Sequence, residues 1–498
     1  MRAVTTAEMR AMEAAAMAAG WPEARLLSHA GMRLGRALAR YFPRPGTVVG
    51  YLGKGHNAGD ALVAMGLLQR EFGWRVVLRA AYPAEACAPL TRAVWEREKM
   101  PVPYPERPEW RDLPRPLVAL DGLLGIGGTG PLRGALAEMS EEMAWLRKHA
   151  GARVAAVDGP SGVDPDTGEA REGAVVADVT FMIGAPKRGM MLGSAANHTG
   201  ALVLVPVEPL EARGEGDFSL ITPGGLDIVR MPRPFDFHKG MAGRVAILAG
   251  SAVYTGAAVL AATGALRAGA GFVVVYAPPD AVAAITAKCP PEIIVRSCRD
   301  AAEMLDPAPD ALVLGPGLGK PPSVSGESIL KVLATAPQPA VVDADALNFL
   351  AESGRMDVLG GRHVLTPHPG EFRRLAPDLA DLPREEAARA FSGSHGCVLL
   401  LKGCRSVVAE PGGTLRANGT GTPGMSTGGQ GDVLAGVIAA RLAIGDAPAA
   451  AASFGAWLCG RAGELGEDLT VGAAEALTPG DVLNHLGLAF RDWREGTR

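Results

Sequence analysis

The sequence predicts an α/β protein of two domains, and four observations carry that expectation. Short runs rich in Val, Leu and Ile alternate with helical patterns along most of the chain, as in a doubly wound sheet. The runs are continuous rather than alternating, which suits parallel strands buried on both faces. At 498 residues the chain exceeds one ordinary domain of roughly 100–200 residues. A stretch over 207–243, rich in Pro and Gly, breaks the rhythm near the middle and reads as a linker.

Two helices, 6–19 and 24–41, precede the first strand. Strands are expected at 47–52, 75–79, 117–121, 153–158, 179–183 and 202–207, with helices at 61–72, 90–99 and 135–148 between several of them. After the linker, strands are expected at 244–248, 272–276, 293–295, 311–314, 340–343, 363–365 and 398–401, and helices at 256–268, 324–334, 344–352 and 385–391. The end is strongly helical, at 432–444, 449–465 and 479–486. No fixed-period repeat relates the halves, so they read as two different domains, 1–214 and 215–498.

Composition excludes several classes. A net charge of −4 gives no strong field for nucleic acid. No apolar run approaches the ~18 residues of a membrane span. Residues 1–20 carry Glu8 and Glu13 and lack an apolar signal core. The six cysteines are dispersed without a CxxC pair, as expected of reduced, buried thiols in a cytoplasmic protein. Glycine is in excess, 65 of 498 residues or about 13% against a usual ~7%.

Ligands of open α/β sheets bind beyond the carboxyl ends of the strands, and much of the glycine lies there. After the first strand stands Gly53-Lys54-Gly55-His56-Asn57-Ala58-Gly59-Asp60. It fits a dinucleotide fingerprint only in part, because no acidic residue ends the following strand. A different phosphate-cradling loop, or a tight turn packing helix on strand, fits as well. After the third strand stands Asp121-Gly122-Leu123-Leu124-Gly125-Ile126-Gly127-Gly128-Thr129-Gly130-Pro131, whose backbone N–H groups suit an anion nest. After the fourth stands Asp158-Gly159-Pro160-Ser161-Gly162. Asp121 and Asp158 fit a metal or general-base site, or equally two turn-forming acids. Lys187 follows the next strand, where a solvated lysine is the plainer expectation.

In the second half, glycines at 315, 317 and 319, the acids Asp343 and Asp345, and His368 between two prolines each follow a strand. The strongest local signal is Gly421-Thr422-Pro423-Gly424-Met425-Ser426-Thr427-Gly428-Gly429-Gln430-Gly431-Asp432, running into a helix. Backbone N–H groups at a helix N-terminus suit phosphates, and Asp432 beside them is placed to take a proton from an attacking hydroxyl. The embedded GxSxG lacks the preceding strand that a nucleophile elbow needs.

These motifs, in this order, resemble the bifunctional NAD(P)H-hydrate repair family. The first half is similar to NAD(P)HX epimerases through residues 53–61, 121–130 and 158–162. The second is similar to ADP-dependent NAD(P)HX dehydratases of the ribokinase-like superfamily. There the matches are His238-Lys239-Gly240, Tyr254-Thr255-Gly256-Ala257, residues 315–319, 343–348 and 365–371, Lys402-Gly403 and residues 428–432. Departures from the family pattern are His56, Ala58, Gln430 and Cys459.

The resemblance implies a Rossmann-like doubly wound α/β/α sandwich followed by a ribokinase-like α/β domain, in a homo-oligomer. It implies epimerisation of R- and S-NAD(P)HX in the first domain. Substrate would lie along His56, Asn57, Ala58, Gly59, Asp60, Gly125, Ile126, Gly127, Gly128, Thr129, Gly130, Pro131 and Asp158. Asp158 would be the acid/base, Lys187 its partner, and K⁺ would sit near Asn57, Asp121 and Ser161. In the second domain Asp432 would be the base, with Ala257, Gly317 and His368 on the hydrate. Lys402, Gly403, Cys404, Arg405, Ser406, Gly428, Gly429 and Gly431 would hold the nucleotide, with Mg²⁺ on the ADP phosphates. The rival expectation is a ribokinase-like small-molecule kinase with a non-catalytic first domain.

Overall fold

The computed structural model describes residues 1–104, 111–128, 130–212, 214, 216–226, 228, 233–319 and 324–496. The chain divides into two compact units, Met1–Leu220 and Ile221–Arg498.

The first unit opens with α1 (Thr6–Ala18), started by a Thr5/Glu8 capping box that satisfies two otherwise orphaned N–H groups. Then follow α2 (Glu23–Tyr41), β1 (Thr47–Leu52), α3 (His56–Phe72), β2 (Arg75–Ala80), α4 (Pro89–Glu98), β3 (Leu117–Gly122), α5 (Ala135–Ala150), β4 (Arg153–Val157), β5 (Val179–Ile183) and β6 (Ala201–Val205). The strands form a six-stranded sheet in the order 2-1-3-4-5-6, parallel at every pairing. Successive side chains of one strand enter opposite cores, as the period of two requires. Val48 and Leu52 join Leu34 of α2 and Leu62 of α3, whereas Val49 and Tyr51 join Met139, Met143 and Leu146 of α5. Covering both faces explains the unbroken apolar runs.

The second unit contains β7 (Arg244–Leu248), α6 (Thr255–Arg267), β8 (Phe272–Ala277), α7 (Val282–Lys288), β9 (Ile294–Ser297), β10 (Ala311–Leu314), α8 (Gly326–Thr335), β11 (Ala340–Val342), α9 (Ala344–Ser353), β12 (His363–Leu365), α10 (Pro369–Leu375), α11 (Arg384–His395), β13 (Val398–Leu401), β14 (Val407–Ala409), β15 (Leu415–Ala417), α12 (Gln430–Ile444), α13 (Pro448–Gly466) and α14 (Pro479–Glu495). Its strands run 9-8-7-10-11-12-13-14-15. The last two add antiparallel to the parallel body. Trp457 of α13 meets Trp493 of α14 edge-on at 4.8 Å between centroids, inside the larger core.

α6 and α12 touch backbone to backbone. A Cβ on Gly436 would stand 1.9 Å from the Ala261 carbonyl oxygen, and one on Gly264 would stand 2.6 Å from that of Val433. A carbonyl inside a helix cannot swing aside, so Gly436→Ala forces the helices apart. Overpacking typically costs about 1–3 kcal/mol, and this site belongs at the upper end. Thermal unfolding of the variant is the measurement, with a clear loss expected.

Three expectations need correction. Residues 56–60 open α3 and are not loop; Gly59 masks the helix start in a pattern reading. α12 likewise begins at Gln430. Among the cysteines, Cys404 is exposed and Cys289 half-buried, while the other four are buried and all six are free.

Candidate active sites

In the first unit the strand order reverses between β1 and β3, which opens a crevice at their carboxyl ends. Gly53 is required there. Its N–H donates to Gly122 O at 3.1 Å, and a Cβ would lie 1.8 Å from Leu123 O. Beyond it α3 presents Asn57, whose Nδ2 donates to Leu124 O at 2.8 Å. Ala58 and Gly59 are buried behind it, and His56 is exposed with Nδ1 3.5 Å from Glu23 Oε1.

Asp121, fully buried at the end of β3, accepts from Leu123 N, Ser161 N and Ser161 Oγ at 3.2, 2.7 and 2.7 Å. Ser161 Oγ also accepts from Leu124 N at 2.9 Å. Asn57, Asp121 and Ser161 therefore meet around Leu124. Burial pushes the Asp121 carboxyl up to about 6, against the pull of those hydrogen bonds.

Asp158 holds φ +64°, a left-handed conformation that non-glycine residues rarely adopt. Its Oδ1 accepts from Ile183 N at 2.8 Å and from Lys187 Nζ. Lys187 is fully buried, contrary to the solvated lysine expected, and also donates to Ile183 O at 2.6 Å. Gly125, Ile126, Gly127, Gly128, Gly130 and Pro131 form the partly exposed loop after β3; Thr129 lies outside the described residues. A Cβ on Gly127 would come 3.4 Å from Arg10 Nη2, so α1 reaches this loop. Sequence reasoning assigned α1 no such part.

In the second unit Asp432 sits in the first turn of α12, behind Gly429 at φ +97°. Lys402 Nζ donates to Asp343 Oδ1 at 2.7 Å and stands 3.9 Å from Glu371 Oε2. Thr366 Oγ1 also donates to Asp343 Oδ1, at 2.9 Å. Burial first, then the charge of Asp343, pushes Asp432 up to about 7; Lys402 opposes the shift, and Asp345 and Glu371 add to it. Lys402 itself is held above its ordinary value, because Asp343 and Glu371 outweigh burial. Lys402, expected on the nucleotide, thus has its ammonium among the carboxylates around Asp432. A Cβ on Gly431 would lie 3.1 Å from that ammonium.

Gly317 and Ala257 are neighbours, 2.8 Å apart for a Cβ built on Gly317. His368 spends Nδ1 as acceptor for Gly370 N and Glu371 N, capping α10, while its Nε2 faces Glu371 Oε1 at 3.4 Å. The turn of Gly403, Cys404, Arg405 and Ser406 is held by Arg384, which donates to Cys404 O at 2.7 Å and to Leu401 O and Lys402 O at 3.1 Å. Ser406 Oγ closes the turn on Gly403 O at 3.0 Å. Arg384 was not legible as a site residue, because it lies on a helix distant in sequence. Gly428 and Gly429 lead into α12, where Gln430 Oε1 is buried without a hydrogen-bond partner among the described residues.

The first unit is thus an open-sheet domain with a polar switch-point crevice. The second places a half-buried carboxyl, Asp432, at a helix N-terminus of the kind suited to phosphate. Residues 245–477 match the family described as NAD(P)H-hydrate dehydratase, and residues 23–189 match the YjeF-related protein N-terminus. The bifunctional NAD(P)H-hydrate repair enzyme of Gloeobacter violaceus is 37% identical, with 93% of this chain and 95% of that protein covered. Its counterpart from Moorella thermoacetica is 35% identical, with 99% and 98% covered. A ribokinase-like superfamily protein from Enterococcus faecalis shares the fold of the second unit. It is 24% identical at a TM-score of 0.50, with 57% of this chain and 99% of that one covered. The chain belongs to the bifunctional NAD(P)H-hydrate repair enzyme family.

Proposed function

We propose that the chain returns hydrated NADH and NADPH to the reduced cofactors, the first unit exchanging the R and S hydrates and the second dehydrating the S form with ADP. The observation that carries the dehydratase reading is Asp432, pushed up to about 7 at the N-terminus of α12. A carboxyl poised there ionises near neutral pH, where a general base works best.

The hydrate carries its hydroxyl on C6, beside the ring nitrogen. Hydroxide is a poor leaving group and phosphate a good one. Asp432 takes the hydroxyl proton as that oxygen attacks the terminal phosphorus of ADP, and AMP departs. Phosphate then leaves C6 as the ring nitrogen supplies its electron pair and C5 releases a proton, which restores the C5=C6 double bond. Backbone N–H groups of residues 428–431 face the charge on the transferring phosphoryl. Mg²⁺ carried by ADP would supply positive charge to the phosphoryl being transferred. Ala257, Gly317 and His368 border the hydrate, and residues 402–406 the adenosine monophosphate portion.

The site in the first unit suits K⁺. Its donors are the hard oxygens of Asn57, Asp121 and Ser161, and the Asp121 carboxyl is fully buried at the end of β3. K⁺ would supply positive charge that fixes the β3 loop. Thermal unfolding in KCl rather than choline chloride should raise the transition of the first unit, and Asp121→Asn should erase the increment. An equal increment in the variant counts against the site.

The test of the whole reading is incubation of mixed R and S hydrate with ADP. Full return of reduced-cofactor absorbance supports both activities. A plateau once the S form is consumed counts against epimerase activity, and no return counts against the dehydratase.

A further inference from the structure

R/S exchange at C6 needs two proton-handling groups. C6 bears both the hydroxyl and the ring nitrogen, so it is a hemiaminal carbon. Removing the hydroxyl proton while protonating the nitrogen breaks the C6–N bond and leaves an open-chain aldehyde. Rotation of the aldehyde and reversal of both transfers closes the ring on the other face. One group must accept a proton while another gives one.

Asp158 suits only the accepting role, because its Oδ1 is already engaged by two donors, Lys187 Nζ and Ile183 N. Asp60 is different. It lies near the N-terminus of α3, just past the first turn, and its Oδ1 is buried with no hydrogen-bond partner among the described residues. A buried polar oxygen without a partner is rare and costly, which makes it a candidate for a transient partner. The groups whose charge reaches Asp60 are Asp158 of the loop after β4, Glu13 of α1 and Lys187 of the loop after β5. Burial, then Asp158 and Glu13, hold the Asp60 carboxyl well above the usual range, against Lys187. Glu13 is itself raised by burial and Asp158, and lowered by Lys187, His56 and Arg10. The unpartnered Asp60 oxygen thus stands in the same crevice as the Asp158 carboxyl, whose Oδ1 is engaged by Lys187 and Ile183.

We propose that Asp60 is the acid working opposite Asp158 in the exchange, giving its proton to the ring nitrogen as Asp158 takes the one on the C6 hydroxyl. This rests on the epimerase reading of the first unit. Closure of the ring returns both protons, so nothing is consumed. Glu13 is a positioning residue whose charge keeps the proton on Asp60.

The experiment uses the full chain without ADP, starting from R hydrate and resolving R from S by chromatography across pH. Asp60→Asn should slow exchange by roughly 10²–10⁴-fold, while dehydration of S hydrate in the presence of ADP stays unchanged. The substitution removes no hydrogen bond from Oδ1, so the fold is not at risk from it. Glu13→Gln should keep exchange but move its alkaline limb to lower pH, because one of the charges holding the proton on Asp60 is gone. Exchange within about threefold of the unsubstituted chain in Asp60→Asn, or an unmoved alkaline limb in Glu13→Gln, overturns the assignment. Absence of exchange in the unsubstituted chain itself overturns the epimerase reading and this proposal with it.

Discussion

Asp432→Asn is expected to lower the dehydration rate by roughly 10²–10⁴-fold, the usual worth of a general base, while leaving ADP binding near normal. In the proposed site the phosphates are held by backbone N–H donors at the start of α12, and an amide in place of the carboxylate disturbs none of them. The pH dependence gives the sharper test. The base works deprotonated and is pushed up to about 7, so the rate should climb through pH 7 and level off above it. The neighbours set the position of that limb. Asp343 raises Asp432 and Lys402 lowers it, so Asp343→Asn should move the limb to lower pH and Lys402→Met to higher pH. Steady-state rates from pH 5.5 to 9 measure all three variants. A limb that stays in place in both neighbour variants would show that the titration belongs to another group.

The sequence made this site legible in parts. Asp432 was visible because the glycine run before it exceeds what a turn needs, and phosphate binding is the physical reason for such a run. The ion pair that tunes it was not visible, since Lys402 and Asp343 lie 59 residues apart and only the parallel order of β11, β12 and β13 brings their ends together. His368 was visible as a rigidly placed residue. Its role as the cap of α10 was not, because that helix is only Pro369–Leu375 and too short to show a period. The three-residue strands β14 and β15 escaped for the same reason. In the first unit, the loops after β1, β3 and β4 were legible from glycine and acid at strand ends. Glu13 and Arg10 were not, as they lie on an ordinary capped helix whose sequence carries no sign of a crevice beside it.

Lys187 carries the second large expected effect, because it is fully buried and, in the proposed exchange, partners Asp158. Lys187→Met keeps the aliphatic stem and deletes the ammonium, so the Asp158 carboxylate loses its charge partner at a 14% exposed position while Asp60 and Glu13 lose the cation that offsets their burial. Breaking one side of a buried pair typically costs about 3–5 kcal/mol. For a unit of this size that is roughly 6–20 °C in the unfolding transition, read by calorimetry on the full chain. R/S exchange should fall with it, which alone would not separate a missing chemical group from a loosened fold. The double variant Lys187→Met with Asp158→Asn separates them. Replacing both partners removes the stranded charge, and such replacements are often near neutral for stability, so most of the lost transition temperature should return. Exchange should stay low, because in the proposed reaction the proton acceptor is gone. Recovery of exchange together with stability would show that the pair only holds the fold, and that the chemistry of the first unit lies elsewhere in the crevice.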